Sequence, residues 1–157
     1  LKATQAGLSD TWVIGIYVFY NLIYAIFSSP LGILADKIGL KKIFISGLLL
    51  FAIVYFGISI STSPYYFIAI FFLYGLFAAA TEGISKAWIS NITAKKDTAT
   101  AIGTFAGFQS IATMLASSIA GIIWYNIGAA ATFLVTACMT IIVVLYFIIF
   151  IPNTNRK

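Results

Sequence analysis

The chain has 157 residues, of which 62% are hydrophobic and only 8% charged, too few charges to cover a water-soluble domain, where about 25% of residues are charged. Its net charge of +5 does not mark a nucleic-acid binder, which would carry Lys and Arg on one continuous polar face; here they sit in short gaps between apolar runs, where basic loops of membrane proteins sit. With one cysteine, Cys138, and no His, neither a disulfide framework nor a Cys/His metal site can form within the chain, and no cofactor is expected.

The chain opens on Leu1, not Met, and shows no cleavable signal pattern, so it reads as part of something longer. Five apolar segments follow, each near the ~20 residues that a membrane-spanning helix needs. They run from about Thr11 to Leu34, Ile43 to Ile60, Tyr65 to about Ile89, about Thr100 to Trp124, and Ala129 to Ile151. None alternates in polarity as the ~10-residue strands of a membrane barrel do. The expected fold is therefore an all-α, polytopic membrane bundle of about five transmembrane helices.

The connections are Ala35–Lys42, Ser61–Pro64, Asn91–Ala99 and Tyr125–Gly128. The first holds Lys37, Lys41 and Lys42, the third Lys95 and Lys96, and the tail Arg156 and Lys157; the other two are uncharged. Five crossings place all three basic segments on one side, which the positive-inside rule makes cytoplasmic. The N-terminus is then expected outside and the C-terminus inside a bacterial-type plasma membrane.

Polarity separates the segments. The first carries Tyr17, Tyr20, Asn21, Tyr24 and Ser28, which helical spacing puts on one face. The third carries Tyr74, Glu82 and Lys86, and the fourth Thr104, Gln109, Ser110, Thr113, Ser117 and Ser118. These three helices are expected to face protein or water, and the second and fifth, almost uniformly apolar, to face lipid. For any single Ser or Thr, a bond to its own helix backbone is an equally good explanation. Gly75, Ala79 and Gly83 recur every four residues, as do Gly103 and Gly107, and Ser117 and Gly121, a spacing that lets helices approach closely.

The sharpest local pattern is Gly32-Ile33-Leu34-Ala35-Asp36-Lys37-Ile38-Gly39-Leu40-Lys41-Lys42. It resembles the loop signature of the major facilitator superfamily, Gly-x-Leu-Ala-Asp-Arg-x-Gly-Arg-Lys, with Lys37 a basic match and Leu40 a departure. Thr81-Glu82-Gly83 with Lys86-Ala87 looks like the tenth helix of many bacterial members, and Ala101-Ile102-Gly103 and Ala120-Gly121-Ile122-Ile123-Trp124 look like the ends of the eleventh. The resemblance implies twelve helices in two halves, of which this chain would hold helices eight to twelve. Asn91, Thr98 and Tyr125 depart from residues common in relatives.

It also implies a secondary transporter of a small solute working by alternating access, with the N-terminal half of the same protein as partner. Asp36, Glu82 and Lys86 would then form a charge network that latches the cytoplasmic side, with Gly32, Lys37, Gly39, Lys41 and Lys42 of the signature around it. Gly32 and Gly39 allow close approach and a tight turn, and Asp36 can favour a helix N-terminus. A local Glu82–Lys86 pair, four residues apart on one face, is the plainer alternative, and that proximity argues against Glu82 as a proton carrier. Asn21 and Gln109 fall near the bilayer midplane, where transporter sites lie; with Tyr17, Tyr20, Tyr24 and Tyr74 they are the substrate-cavity candidates, helix-to-helix bonding being the alternative for Asn21 and Gln109. Asn91-Ile92-Thr93 matches a glycosylation acceptor but falls on the cytoplasmic side. A five-helix scaffold or assembly subunit is the rival reading. A membrane-embedded enzyme is a third, for which no catalytic set is seen.

Overall fold

A backbone in lipid must satisfy its own polar groups, and long apolar runs do so as helices. The computed structural model describes Thr4, residues 7–60 and residues 63–152. Its helices are α1 (Asp10–Ile38), α2 (Leu40–Ile60), α3 (Pro64–Ile92), α4 (Thr98–Asn126) and α5 (Ala129–Phe150), with a 3-10 turn at Lys95–Asp97. All five are long and apolar enough to cross a membrane. The molecule is thus an all-α, polytopic membrane bundle. Arg156 and Lys157 lie outside the described residues.

The helices outrun their apolar cores. α1, α3 and α4 have 29 residues each, about 44 Å at 1.5 Å per residue, against a hydrocarbon layer of ~30 Å. Their ends reach the polar interface, and most of the expected Ala35–Lys42 connection becomes helical. Gly39 alone separates α1 from α2. Its φ of 105° and ψ of 135° suit glycine. Its N–H caps α1 on the Ala35 carbonyl at 2.9 Å, and its own carbonyl accepts from Lys42 N at 3.2 Å and Ile43 N at 3.4 Å. One residue ends one helix and starts the next. Pro64 occupies the first turn of α3, where a missing N–H costs nothing.

Packing departs from the expected division into protein-facing and lipid-facing helices. α3 is the hub: α1 packs along one side and α2 along another, and α5 packs on the far side of α2. α2 therefore buries Ile43, Gly47, Ala52, Val54, Gly57 and Ile58, and keeps Leu49, Ile53, Phe56 and Ile60 as an exposed apolar stripe. Meanwhile α4, expected to face protein or water, has no buried residue and touches α3 and α5 only lightly. The physical reason is that lipid tails are as apolar as leucine, so an all-apolar helix carries no sign of whether lipid or another helix covers it.

Two apolar clusters hold the hub together. One joins Ala35, Ile43, Ala80 and Ile84, where α1, α2 and α3 meet near Gly39. The other joins Val54, Ile58 and Ile70 between α2 and α3, with Tyr55, Tyr74 and Phe133 against it. Gly75 and Gly47 set the helix separations. A Cβ on Gly75 would stand 2.8 Å from Ile23 Cβ and 3.0 Å from the Tyr20 carbonyl oxygen, and one on Gly47 would stand 2.9 Å from Ala80 Cβ. Gly83, Gly103, Gly107 and Gly121 have nothing within 4 Å of such an atom. The four-residue spacing thus marks a close approach at Gly75 and open space at the other four.

Candidate functional site

The α1–α3 contact brings most of the candidate cavity residues together. Because Gly75 lets α1 come close, the Tyr20 and Tyr74 rings stack with centroids 5.1 Å apart. Tyr17 leans on Tyr20 at 5.9 Å. One turn further along, the Tyr24 phenol lies beside the Glu82 carboxylate. Tyr20 and Tyr74 lie within the electrostatic field of the same carboxylate. The result is an aromatic and acidic strip along one side of the α1–α3 pair, with Tyr17 and Glu82 exposed.

Other candidates sit apart from this strip. The Asn21 side-chain N–H donates to the Tyr17 carbonyl at 2.8 Å, the same i−4 back-bonding that Ser28, Ser110, Thr113 and Ser118 make to their own helices. Its amide oxygen and its second N–H are left to face another group. Gln109 is exposed on α4, which has no substantial interface with α1. Sequence reasoning missed Tyr55, which brings a third phenol to this group from α2, its ring centroid 6.4 Å from that of Tyr74. The signal was present: a phenol in the middle of an apolar span must find a partner.

The signature residues divide into two groups. Gly32 and Asp36 line a groove of about 290 Å³ between α1 and α3, together with Tyr24, Ala79, Gly83 and Ala87. The small side chains of α3 leave that groove open, and Asp36 and Tyr24 stand along it. Lys41 turns the other way: its ammonium donates to the backbone carbonyl of Ile151, at the C-terminus of α5, where a cation meets the negative end of the helix dipole. Lys37 and Lys42 are exposed. Among the described residues no ion pair joins Asp36, Glu82 and Lys86. The local Glu82–Lys86 pair that the four-residue spacing allowed is therefore not formed in this structure.

Comparison with known proteins gives a consistent result. Residues 2–157 match the sequence model of the Major Facilitator Superfamily. An uncharacterized MFS-type transporter of Methanocaldococcus jannaschii is 38% identical over 129 residues, covering 82% of this chain and 32% of that protein. A chloramphenicol resistance protein of Acinetobacter baumannii is 30% identical over 109 residues, covering 69% of this chain and 26% of that protein. The chain spans about a third or less of the length of these relatives.

Proposed function

Because the chain belongs to the major facilitator superfamily, we propose that it forms most of the C-terminal half of a secondary transporter, carrying a small solute by alternating access. The observation that carries this reading is the strip of Tyr17, Tyr20, Tyr74, Tyr24 and Glu82 along the α1–α3 pair. Part-exposed phenols and an exposed carboxylate along one helix pair are costly to keep in lipid, and they fit the wall of a polar cavity shared with the missing half. Gln109 and the uncovered flank of α4 form the other edge of that wall. Lys37, Lys41, Lys42, Lys95 and Lys96 gather at one end of the bundle, which the positive-inside rule makes cytoplasmic, in a bacterial-type plasma membrane.

Asp36, in its open groove, and Glu82, beside Tyr24, are the acidic members of the gate. In this reading a basic group enters the groove when the cytoplasmic side closes, and Lys86 is the nearest candidate within the chain, four residues from Glu82. The name of the Acinetobacter relative makes chloramphenicol the first solute to try.

The test does not depend on the solute. In the complete transporter with Cys138→Ser, single cysteines at Tyr20 and Gln109 are exposed to a membrane-impermeant maleimide from each side. Alternating access predicts labelling from both sides, with a ratio that shifts when Asp36→Asn is added. Labelling confined to one side, unchanged by Asp36→Asn, refutes the transporter reading and favours a static scaffold.

A further inference from the structure

A second cavity, of about 400 Å³, opens at the lysine-rich end among α2, α3, α4 and α5. It plays no part in the strip described above. Phe44, Trp88 and Phe147 form its floor, with ring centroids 5.4 to 6.1 Å apart. Ile92 and Phe105 form the walls towards α3 and α4. The one hydroxyl in its lining, Ser85, already donates to the Glu82 carbonyl at 3.0 Å. A water needs two to four polar partners, and this lining does not supply them. The cavity suits an alkyl chain.

Its rim is different. Ile151 belongs to the lining, and the Lys41 ammonium sits on the Ile151 carbonyl. An ammonium has three N–H donors, so two stay available for an anion. Lys42 adjoins Lys41, and Lys95 and Lys96 follow Ile92 by three and four residues; all three are exposed. Trp88 stands one turn from the end of α3, about 6 Å by helical rise, the depth at which tryptophans mark the interface. Close to the aromatic floor the chain thus carries four lysines, with a single carboxylate, Asp97, beside Lys96.

From this juxtaposition we infer that the cavity binds one acyl chain of an anionic phospholipid, with the headgroup phosphate on Lys41 and its neighbours Lys42, Lys95 and Lys96. The chain fills the space between Phe105 of α4 and the aromatic floor. It thereby supplies contacts at the end of α4 that protein packing leaves bare. The other end of α4 is already held, by Trp124 against Phe133 at 5.8 Å. The inference is independent of what solute the protein carries.

Trp88 provides the probe. Trp12→Phe and Trp124→Phe remove the other two tryptophans, both at the far end of the bundle. The full chain is reconstituted in phosphatidylcholine vesicles that contain a small fraction of acyl-brominated phosphatidylglycerol or acyl-brominated phosphatidylcholine. Brominated phosphatidylglycerol should quench Trp88 at a lower fraction, with a preference of about fivefold for each lysine engaged. Lys95→Gln with Lys96→Gln should shrink that preference without touching the α5 cap, and Lys41→Gln should shrink it further. Ser85→Phe, which fills the cavity, should reduce quenching by phosphatidylglycerol to the phosphatidylcholine level. Equal quenching by the two lipids in the parent, or a preference that survives all three lysine substitutions, overturns the proposal. If Trp88 is quenched by neither lipid until residues 153–157 are deleted, the chain's own tail occupies the cavity, which overturns it as well.

Discussion

Gly75 is the position where sequence, packing and the candidate site meet, and Gly75→Ala tests all three. The added methyl would lie 2.8 Å from both Ile23 Cβ and Ile23 Cγ2, and 3.0 Å from the Tyr20 carbonyl oxygen. Ile23 is itself buried at 7% exposure and β-branched, so it has no free rotamer to escape into. The Tyr20 contact is to backbone, which moves only if α1 moves. Restoring ordinary contact requires the helices to part by roughly 0.6 Å at this point. Overpacking of this kind costs about 1–3 kcal/mol, which lowers the folded-to-unfolded ratio by roughly 5- to 150-fold, taking a factor of ten per 1.4 kcal/mol. The assay is reversible unfolding of the purified chain in mixed micelles of a mild detergent and dodecyl sulfate, followed by tryptophan fluorescence. Gly83→Ala is the control: it lies in the same helix and the same four-residue series, with nothing within 4 Å. A Gly75→Ala protein within ~0.5 kcal/mol of the parent, or one matched by Gly83→Ala, would refute the claim that α1 and α3 touch at Gly75.

Three further outcomes follow from named contacts. Gly39→Ala should cost about 1–3 kcal/mol, because a φ of 105° is open to glycine and strained for other residues; Gly39→Asn should give little relief, since its ψ of 135° lies outside the left-handed helical region that asparagine tolerates, and the same micelle titration reads both. Lys41→Met should loosen the last turn of α5 by ~0.3–1 kcal/mol, seen as faster amide hydrogen exchange confined to the residues before Pro152, with the centre of α5 unchanged. Glu82→Gln and Lys86→Met should be nearly additive in the same unfolding assay, with a coupling below ~0.5 kcal/mol, because no ion pair joins the two side chains; a larger coupling would restore the local pair.

How much of this was legible depends on which force wrote each feature. The spans were legible because hydrophobic length against bilayer thickness is a one-dimensional property. The signature loop was legible as a pattern, but its geometry was not. Ala35 to Lys42 looks like a polar connection, and only the three-dimensional chain shows that Gly39 does the turning alone while Asp36 stays helical. The small-residue series was ambiguous for a similar reason: Gly75 and Gly83 are equivalent in sequence, and only the packing of α1 shows that one is pressed and the other open. Lys41 belongs with Asp36 in the loop signature, whereas its partner in the structure, Ile151, is 110 residues away. Asn21 looked available because sequence cannot show that its amide is already bonded to the turn below. Of the aromatic and acidic strip, Tyr20, Tyr74, Tyr24 and Glu82 were found by their helical faces, while Tyr55 was missed because α2 was judged by its overall apolarity.

The uneven attachment of α4 has a mechanical consequence. It is tied at one end by Thr93 to Asp97 and at the other by Ile127 and Gly128 alone, and the latter junction is fixed by Ile127 and Gly128 N–H bonds to the Ile123 carbonyl. Trp124 and Phe133 add an aromatic pin beside it. At the lysine-rich end the junction is also hydrogen-bonded, by Asp97 N–H and the Thr98 hydroxyl to the Ala94 carbonyl, but beside it lies the cavity of about 400 Å³. A lateral force on α4 would therefore meet side-chain packing at the tryptophan end and unfilled space at the lysine-rich end.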